Sequence, residues 1–185
     1  MPIAIQRLLA SIVSLLLLVS TSAIAEPKLE MHRVGVNAGD GSGWYPAVPT
    51  RGSFSILLPI PYNDFTTRDP ETDQVSHVVG GKSSEGIKFT AVELRVTAKT
   101  PADLAAIPKS FSSNPANKVS DEILNTRDGV DNLFFSVANA AMTAHFRYIR
   151  MKGTLFILTI EYPNAYREMV MERKDKFFKS FRLKS

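Results

Sequence analysis

The spacing of apolar residues changes character along the chain. It opens with an apolar run, Leu8 to Val19, about 12 residues long and preceded by the single charge Arg7. From Gly52 onward the spacing switches to alternation. Phe54, Ile56 and Leu58 alternate with Ser53, Ser55 and Leu57, a strand pattern that Pro59 and Pro61 stop. Asn63 to Asp73 is polar and turn-rich. Gln74 to Val79 reads as a strand, Gly80 to Glu85 as a hairpin loop, and Gly86 to Ala98 as a longer strand. The apolar parity changes between Phe89 and Val92, which predicts a bulge or twist there.

Thr100 and Pro101 suit a helix cap and first helical position. Leu104, Ala105 and Ile107 give that helix one apolar side, and Pro108 is expected to end or kink it. Ser110 to Asn117 reads as a loop, Val119 to Thr126 as a weak strand, Asp128-Gly129 as a turn and Leu133 to Val137 as a further strand. The clearest hairpin follows: Met142, Ala144, Phe146 and Tyr148 alternate with Thr143, His145, Arg147 and Ile149. Met151-Lys152-Gly153 turns the chain into Leu155 to Tyr162, which is apolar on both faces at first and therefore central. A final helix spans about Asn164 to Phe178, with Tyr166, Met169, Val170 and Phe177 on one stripe and Glu172 and Lys176 as an i,i+4 pair. An extended tail, Ser180 to Leu183, ends the pattern. An antiparallel sheet with helices segregated from it is an α+β domain.

The opening run changes the picture most. It is short of the roughly 20 residues needed to span a bilayer, and Ala23 and Ala25 behind it are small. Residues 1–25 therefore read as a signal peptide cleaved after Ala25, against the alternative of an uncleaved N-terminal anchor. No Cys follows the run and no twin-Arg pair precedes it, so neither lipoprotein anchoring nor the twin-Arg route is expected. Residues 26–51, poor in period, read as a flexible Gly-rich segment, and residues 52–185 as a single domain. The sequence has no Cys and no Asn-x-Ser/Thr acceptor, which favours a bacterial periplasm or bacterial secretion. Without Arg7, the 22 Lys and Arg fall to 21 against 18 Asp and Glu, a mature net charge of about +3. No later stretch reads as a membrane span.

From Gly52 to Leu183 the order of elements resembles the PsbP-like superfamily. The resemblance rests on Gly52, Phe54, Ile56 and Pro59 in the first strand, the long hairpin, the helix and further strand, the basic hairpin, and Phe177-Phe178-Lys179-Ser180-Phe181 at the end. That superfamily includes the lumenal extrinsic subunit of photosystem II and many exported bacterial proteins of unknown role. The resemblance implies an α/β/α sandwich around an antiparallel sheet, and it implies no shared catalytic residues.

Candidate chemistry is sparse. Cysteine catalysis is impossible, and no Gly-x-Ser-x-Gly elbow occurs. His32, His77 and His145 show no zincin spacing, so no metal and no cofactor is expected; only a meeting of His77 and His145 across a sheet would change that. Asp40-Gly41-Ser42-Gly43 lacks the carboxylates of a calcium loop and the Gly-Lys-Ser/Thr ending of a P-loop. The binding candidates are Trp44 and Tyr45 beside that loop, and His145 and Arg147, with Arg150, on a strand face that could receive an acidic partner or anion. The competing account has the two aromatics covering an open edge of the core and the basic row simply solvated. The basic C-terminus, Arg173 to Lys184, could touch anionic lipid or an acidic partner. The expected role is a non-catalytic binding or accessory domain of the cell envelope, acting on an envelope protein or small ligand and not on nucleic acid. A small periplasmic hydrolase or ligand-binding enzyme is the alternative.

Overall fold

The computed structural model describes residues 27–96 and 103–184. The expected signal peptide and the Thr100-Pro101 helix start lie outside the described residues. The strands are β1 (Lys28–Val36), β2 (Tyr45–Ala47), β3 (Phe54–Leu58), β4 (Tyr62–Arg68), β5 (Val75–Lys82), β6 (Lys88–Arg95), β7 (Lys118–Arg127), β8 (Val130–Ala138), β9 (Met142–Met151), β10 (Thr154–Pro163) and β11 (Arg182–Leu183). Two α-helices, α1 (Ala106–Ser112) and α2 (Arg167–Lys179), and a 3-10 turn at Asn164–Tyr166 complete the described elements. The fold is α+β.

Eight strands form one antiparallel sheet in the order β1-β4-β5-β6-β10-β9-β8-β7, and β11-β3-β2 form a smaller one. Adjacent residues of β10 feed two separate buried clusters, because successive side chains on a strand point to opposite faces. Phe156, Leu158, Ile160 and Tyr162 join a cluster with β3 and with Val170, Phe177 and Phe178 of α2. Leu155 and Ile157 join the other, with Leu104 and Ile107 at α1. The both-face apolar run of this strand thus has its expected cause: neighbours on each edge and cover on each face.

The same double cover corrects the reading of β6. Its parity change is no bulge, since its register with β10 and with β5 runs without a shift. Phe89 and Ala91 are buried on the α2 side and Val92 and Leu94 on the α1 side. The strand stays regular while the more deeply covered face changes along it.

Other differences have equally local causes. The polar stretch after Asn63 is mostly β4, where Asp64 and Thr66 take buried positions that an apolar pattern cannot reveal. Asp64 accepts from Thr50 Oγ1 at 2.6 Å and Arg33 Nε at 2.8 Å, so its burial is compensated by charge-assisted hydrogen bonds. Residues 26–51 contribute two strands, β1 paired to β4 and β2 paired to β3. Gly80 and Gly81 belong to β5, and the turn comes after Lys82. Helix α1 runs through Pro108, which falls in its first turn where a missing N–H costs nothing. It extends to Phe111, whose ring lies 5.6 Å from Phe135 and 5.2 Å from Phe146. On α2, Val170, Phe177 and Phe178 are buried while Met169 is exposed, and the i,i+4 ion pair is Asp175–Lys179. Lys176 instead lies 4.5 Å from the centroid of the Trp44 ring.

Candidate functional site

Strand β9 presents Thr143, His145 and Arg147 to the α2 side of the sheet, as their alternation with Phe146 and Tyr148 predicts. Arg150 has the opposite parity and pairs with Asp131 at 2.6 Å, so it does not continue that row. The row is not uniformly solvated either. Arg147 donates to the Phe178 carbonyl at 2.7 Å and to Asn132 Oδ1 at 3.1 Å, and lies 5.1 Å over the Phe134 ring. It ties the C-terminal turn of α2 to β8 and β9. Trp44 and Tyr45 pack, half-buried, on the α2-side core. Gly41 and Gly43 adopt positive φ, and Asp40 N–H donates to the Trp44 carbonyl at 3.0 Å, so the loop before Trp44 is tightly turned.

His145 is the exception among the candidates. It is 6% exposed and forms the floor of a cleft of about 310 Å3, together with Ser136 and Tyr162. Lys118, Ser120, Asp121, Ala138, Thr143 and Arg167 complete the lining. Strand register builds this arrangement. Ser136 lies directly opposite His145 on β8, and Tyr162 is diagonal to it on β10. His145 Nδ1 is 2.7 Å from Ser136 Oγ, and Nε2 is 3.0 Å from the Tyr162 hydroxyl. Asp121 reaches the cleft from the edge strand β7 through a register shift between Ser120 and Ile123, where its φ is 57°. A bulge of this kind re-aims one side chain, and Asp tolerates the left-handed conformation better than most residues.

Electrostatics fix the charge state of the cleft groups. Hydrogen bonding by Ser136, and secondarily by Ser120, holds the Asp121 carboxyl below its ordinary pKa, so it is an ionised acceptor. Burial, with Lys174 and Arg167 nearby, pulls His145 down to about 4, so the ring is neutral near pH 7. The neutral ring has one N–H and one bare nitrogen, so of the Ser136 and Tyr162 hydroxyls that flank it one accepts and the other donates, according to the tautomer. Thr143 gives its proton to Asn164 Oδ1 at 2.7 Å. Both ring nitrogens are thus engaged within the protein.

His77 does not join this site. It sits on β5, three strand steps from β9, which is about 14 Å at the usual strand spacing. Its partner is Thr66 Oγ1, at 3.1 Å, which also lies 2.9 Å from His32 Nε2. Burial chiefly lowers the His77 pKa. Among the described residues no group of three or more His, Asp or Glu is placed to hold a metal ion, and no helix is long and apolar enough to cross a membrane. Sequence reasoning found His145 but missed Asp121, Ser136 and Tyr162. The strand pairing of β8, β9 and β10 was legible, and it alone would have set Ser136 and Tyr162 beside His145. The bulge that delivers Asp121 left no mark in the pattern.

No protein-family model matches the chain, and no curated protein matches it in sequence. Among solved structures it is similar to cyanobacterial PsbP (CyanoP) from Synechocystis sp. PCC 6803, at 14% identity and a TM-score of 0.44, covering 81% of this chain and 98% of that one.

Proposed function

We propose that the chain is an exported, non-catalytic accessory domain of the cell envelope, of the α/β/α sandwich type, which binds a small ligand in the His145 cleft. One observation carries the non-catalytic reading: the two ring nitrogens of His145 meet the hydroxyls of Ser136 and Tyr162, and among the described residues no carboxylate hydrogen-bonds the ring from behind. In nucleophilic hydrolysis the serine proton passes to a histidine that a carboxylate orients from behind. Here the carboxylate is on the serine side. Its depressed pKa makes it a weak base, and the far ring nitrogen of the histidine faces the Tyr162 hydroxyl where a carboxylate would be needed. Ser136 is moreover 5% exposed. The cleft is at the small end of the volumes that ligand sites occupy, which supports a binding role.

The test is direct. Treatment of the folded protein with a serine-reactive fluorophosphonate, followed by peptide mass spectrometry, should leave Ser136 unmodified at a concentration that labels a control serine hydrolase. An adduct at Ser136 that His145→Gln abolishes would establish an activated nucleophile and replace this reading with the hydrolase alternative.

A further inference from the structure

Two cations line the His145 cleft without a counter-ion. Lys118, at the start of β7, and Arg167, the first residue of α2, both contribute to its lining, and neither forms an ion pair or hydrogen bond among the described residues. Arg33, Lys88 and Arg150, by contrast, are each paired with a carboxylate, that of Asp64, Glu161 and Asp131 respectively. The carboxylate in the cleft, Asp121, is engaged by the hydroxyls of Ser136 and Ser120. Lys174 adds positive potential at both Asp121 and His145. The cleft mouth therefore offers N–H donors and net positive charge to whatever enters it.

The inner wall offers the opposite. Thr143 spends its proton on Asn164 Oδ1, so its oxygen faces the cleft as an acceptor, and the Ser136 and Tyr162 hydroxyls are each engaged with the His145 ring. A bare oxyanion would satisfy the mouth and meet lone pairs at the wall. A neutral polyol would satisfy the wall and leave the cations unused. A molecule carrying both groups complements both surfaces.

We infer that the cleft between β7 and the start of α2 is a binding site for a small hydroxylated oxyanion, with its carboxylate or phosphate on Lys118 and Arg167 and a hydroxyl donating to the Thr143, Tyr162 and Ser136 wall. This rests on the reading of the cleft as a ligand site and adds the chemistry of the ligand. The shared requirement is an oxyanion with a neighbouring hydroxyl. A carboxylate and a phosphate source differ in charge and size, so the probes separate them.

Binding of inorganic phosphate, glycerol, glycerol 3-phosphate and tartrate to residues 26–185 is to be followed by amide chemical shifts and calorimetry. Glycerol 3-phosphate or tartrate should saturate, with shifts centred on Lys118, Thr143, His145 and Arg167. Phosphate should bind at least tenfold more weakly, and glycerol should not bind. The Lys118→Ala/Arg167→Ala pair, both solvent-facing and expected to fold, should weaken binding at least tenfold. Thr143→Val should lower the preference for glycerol 3-phosphate over phosphate. Absence of saturation by either hydroxylated probe, shifts that persist in the double variant, or equal affinity for phosphate and glycerol 3-phosphate would each overturn the inference. None of those outcomes bears on fluorophosphonate labelling of Ser136, so the ligand class and the non-catalytic reading fail separately.

Discussion

His145 shows how one buried side chain couples the cleft to solution conditions. Its pKa is depressed in the folded protein, to about 4 from an ordinary 6.5. The unfolded chain therefore binds more protons than the folded one between those two values, and folding stability falls as pH falls through that window. The shift corresponds to roughly 3 kcal/mol, fully present above the unfolded value and lost as pH approaches 4. Ionised Asp121 acts in the same direction at lower pH, since its folded pKa is also depressed. Urea unfolding from pH 7 to pH 4 should show this decline, and His145→Gln should flatten most of it. His77, lowered as well, accounts for a smaller residual slope. An unchanged slope in His145→Gln would remove the attribution. At this scale the sequence was only partly readable. Period-two spacing put His145 and Arg147 on one face, but nothing in it separated a buried neutral histidine from an arginine that closes a helix end. That difference arises from partners contributed by β8, β10 and α2.

The elements were legible where one face is apolar, and obscure where sheet geometry rests on polar or small residues. Strand β5 is the clearest case. Gly80-Gly81 has the composition of a turn, yet both residues are in the ladder and pair with Thr90 and Phe89. Gly81 is there for close approach: a Cβ at that position would overlap the Pro61 carbonyl oxygen and crowd the Ile60 side chain. Since the obstacle is backbone and not a flexible side-chain end, Gly81→Ala should destabilise the domain by about 3 kcal/mol, at the upper end of ordinary substitutions. A shift in the urea midpoint at constant slope measures it. A change under 0.5 kcal/mol would mean that the Pro61 segment yields easily. Strand β4 was hidden by similar logic. Its buried Asp64, through Oδ2, and Thr66 are held by β1 and by Thr50, so polarity there marks a junction and not a loop.

For the molecule as a whole, the sheet order sets what each region can do. The edge strands β1 and β7 flank the assembly, and the His145 cleft opens beside β7, next to the N-terminal end of α2. The proposed export makes a checkable statement about the chain before this domain begins. Expression of the full sequence in a bacterial host should yield a periplasmic protein whose intact mass corresponds to a first residue of Glu26. A protein retaining Met1 to Ala25 in the membrane fraction would support the anchor alternative. The α+β class and much of the antiparallel pairing were readable because seven of the strands, β3 and β5 to β10, carry, or are bordered by, plain alternation or turn signals. The smaller sheet was not, because β2 and β11 are only 3 and 2 residues long and owe their pairing to β3.

That smaller sheet has a consequence for the order in which the protein can be completed. Strand β3 is made early, yet its partner β11 is residues 182–183. Phe181, just before it, stacks on Phe54 at 5.8 Å and meets Phe156 edge-on at 5.1 Å. Lys184 then reaches the Pro49 and Gly52 carbonyls. Because chains emerge from the ribosome N-terminus first, Phe54 waits for its Phe181 partner until residues 181–184 have been made. A nascent or truncated chain ending before Phe181 holds Phe54 and Phe156 without their covering ring. Addition of Phe181 and β11 then covers that side of the core.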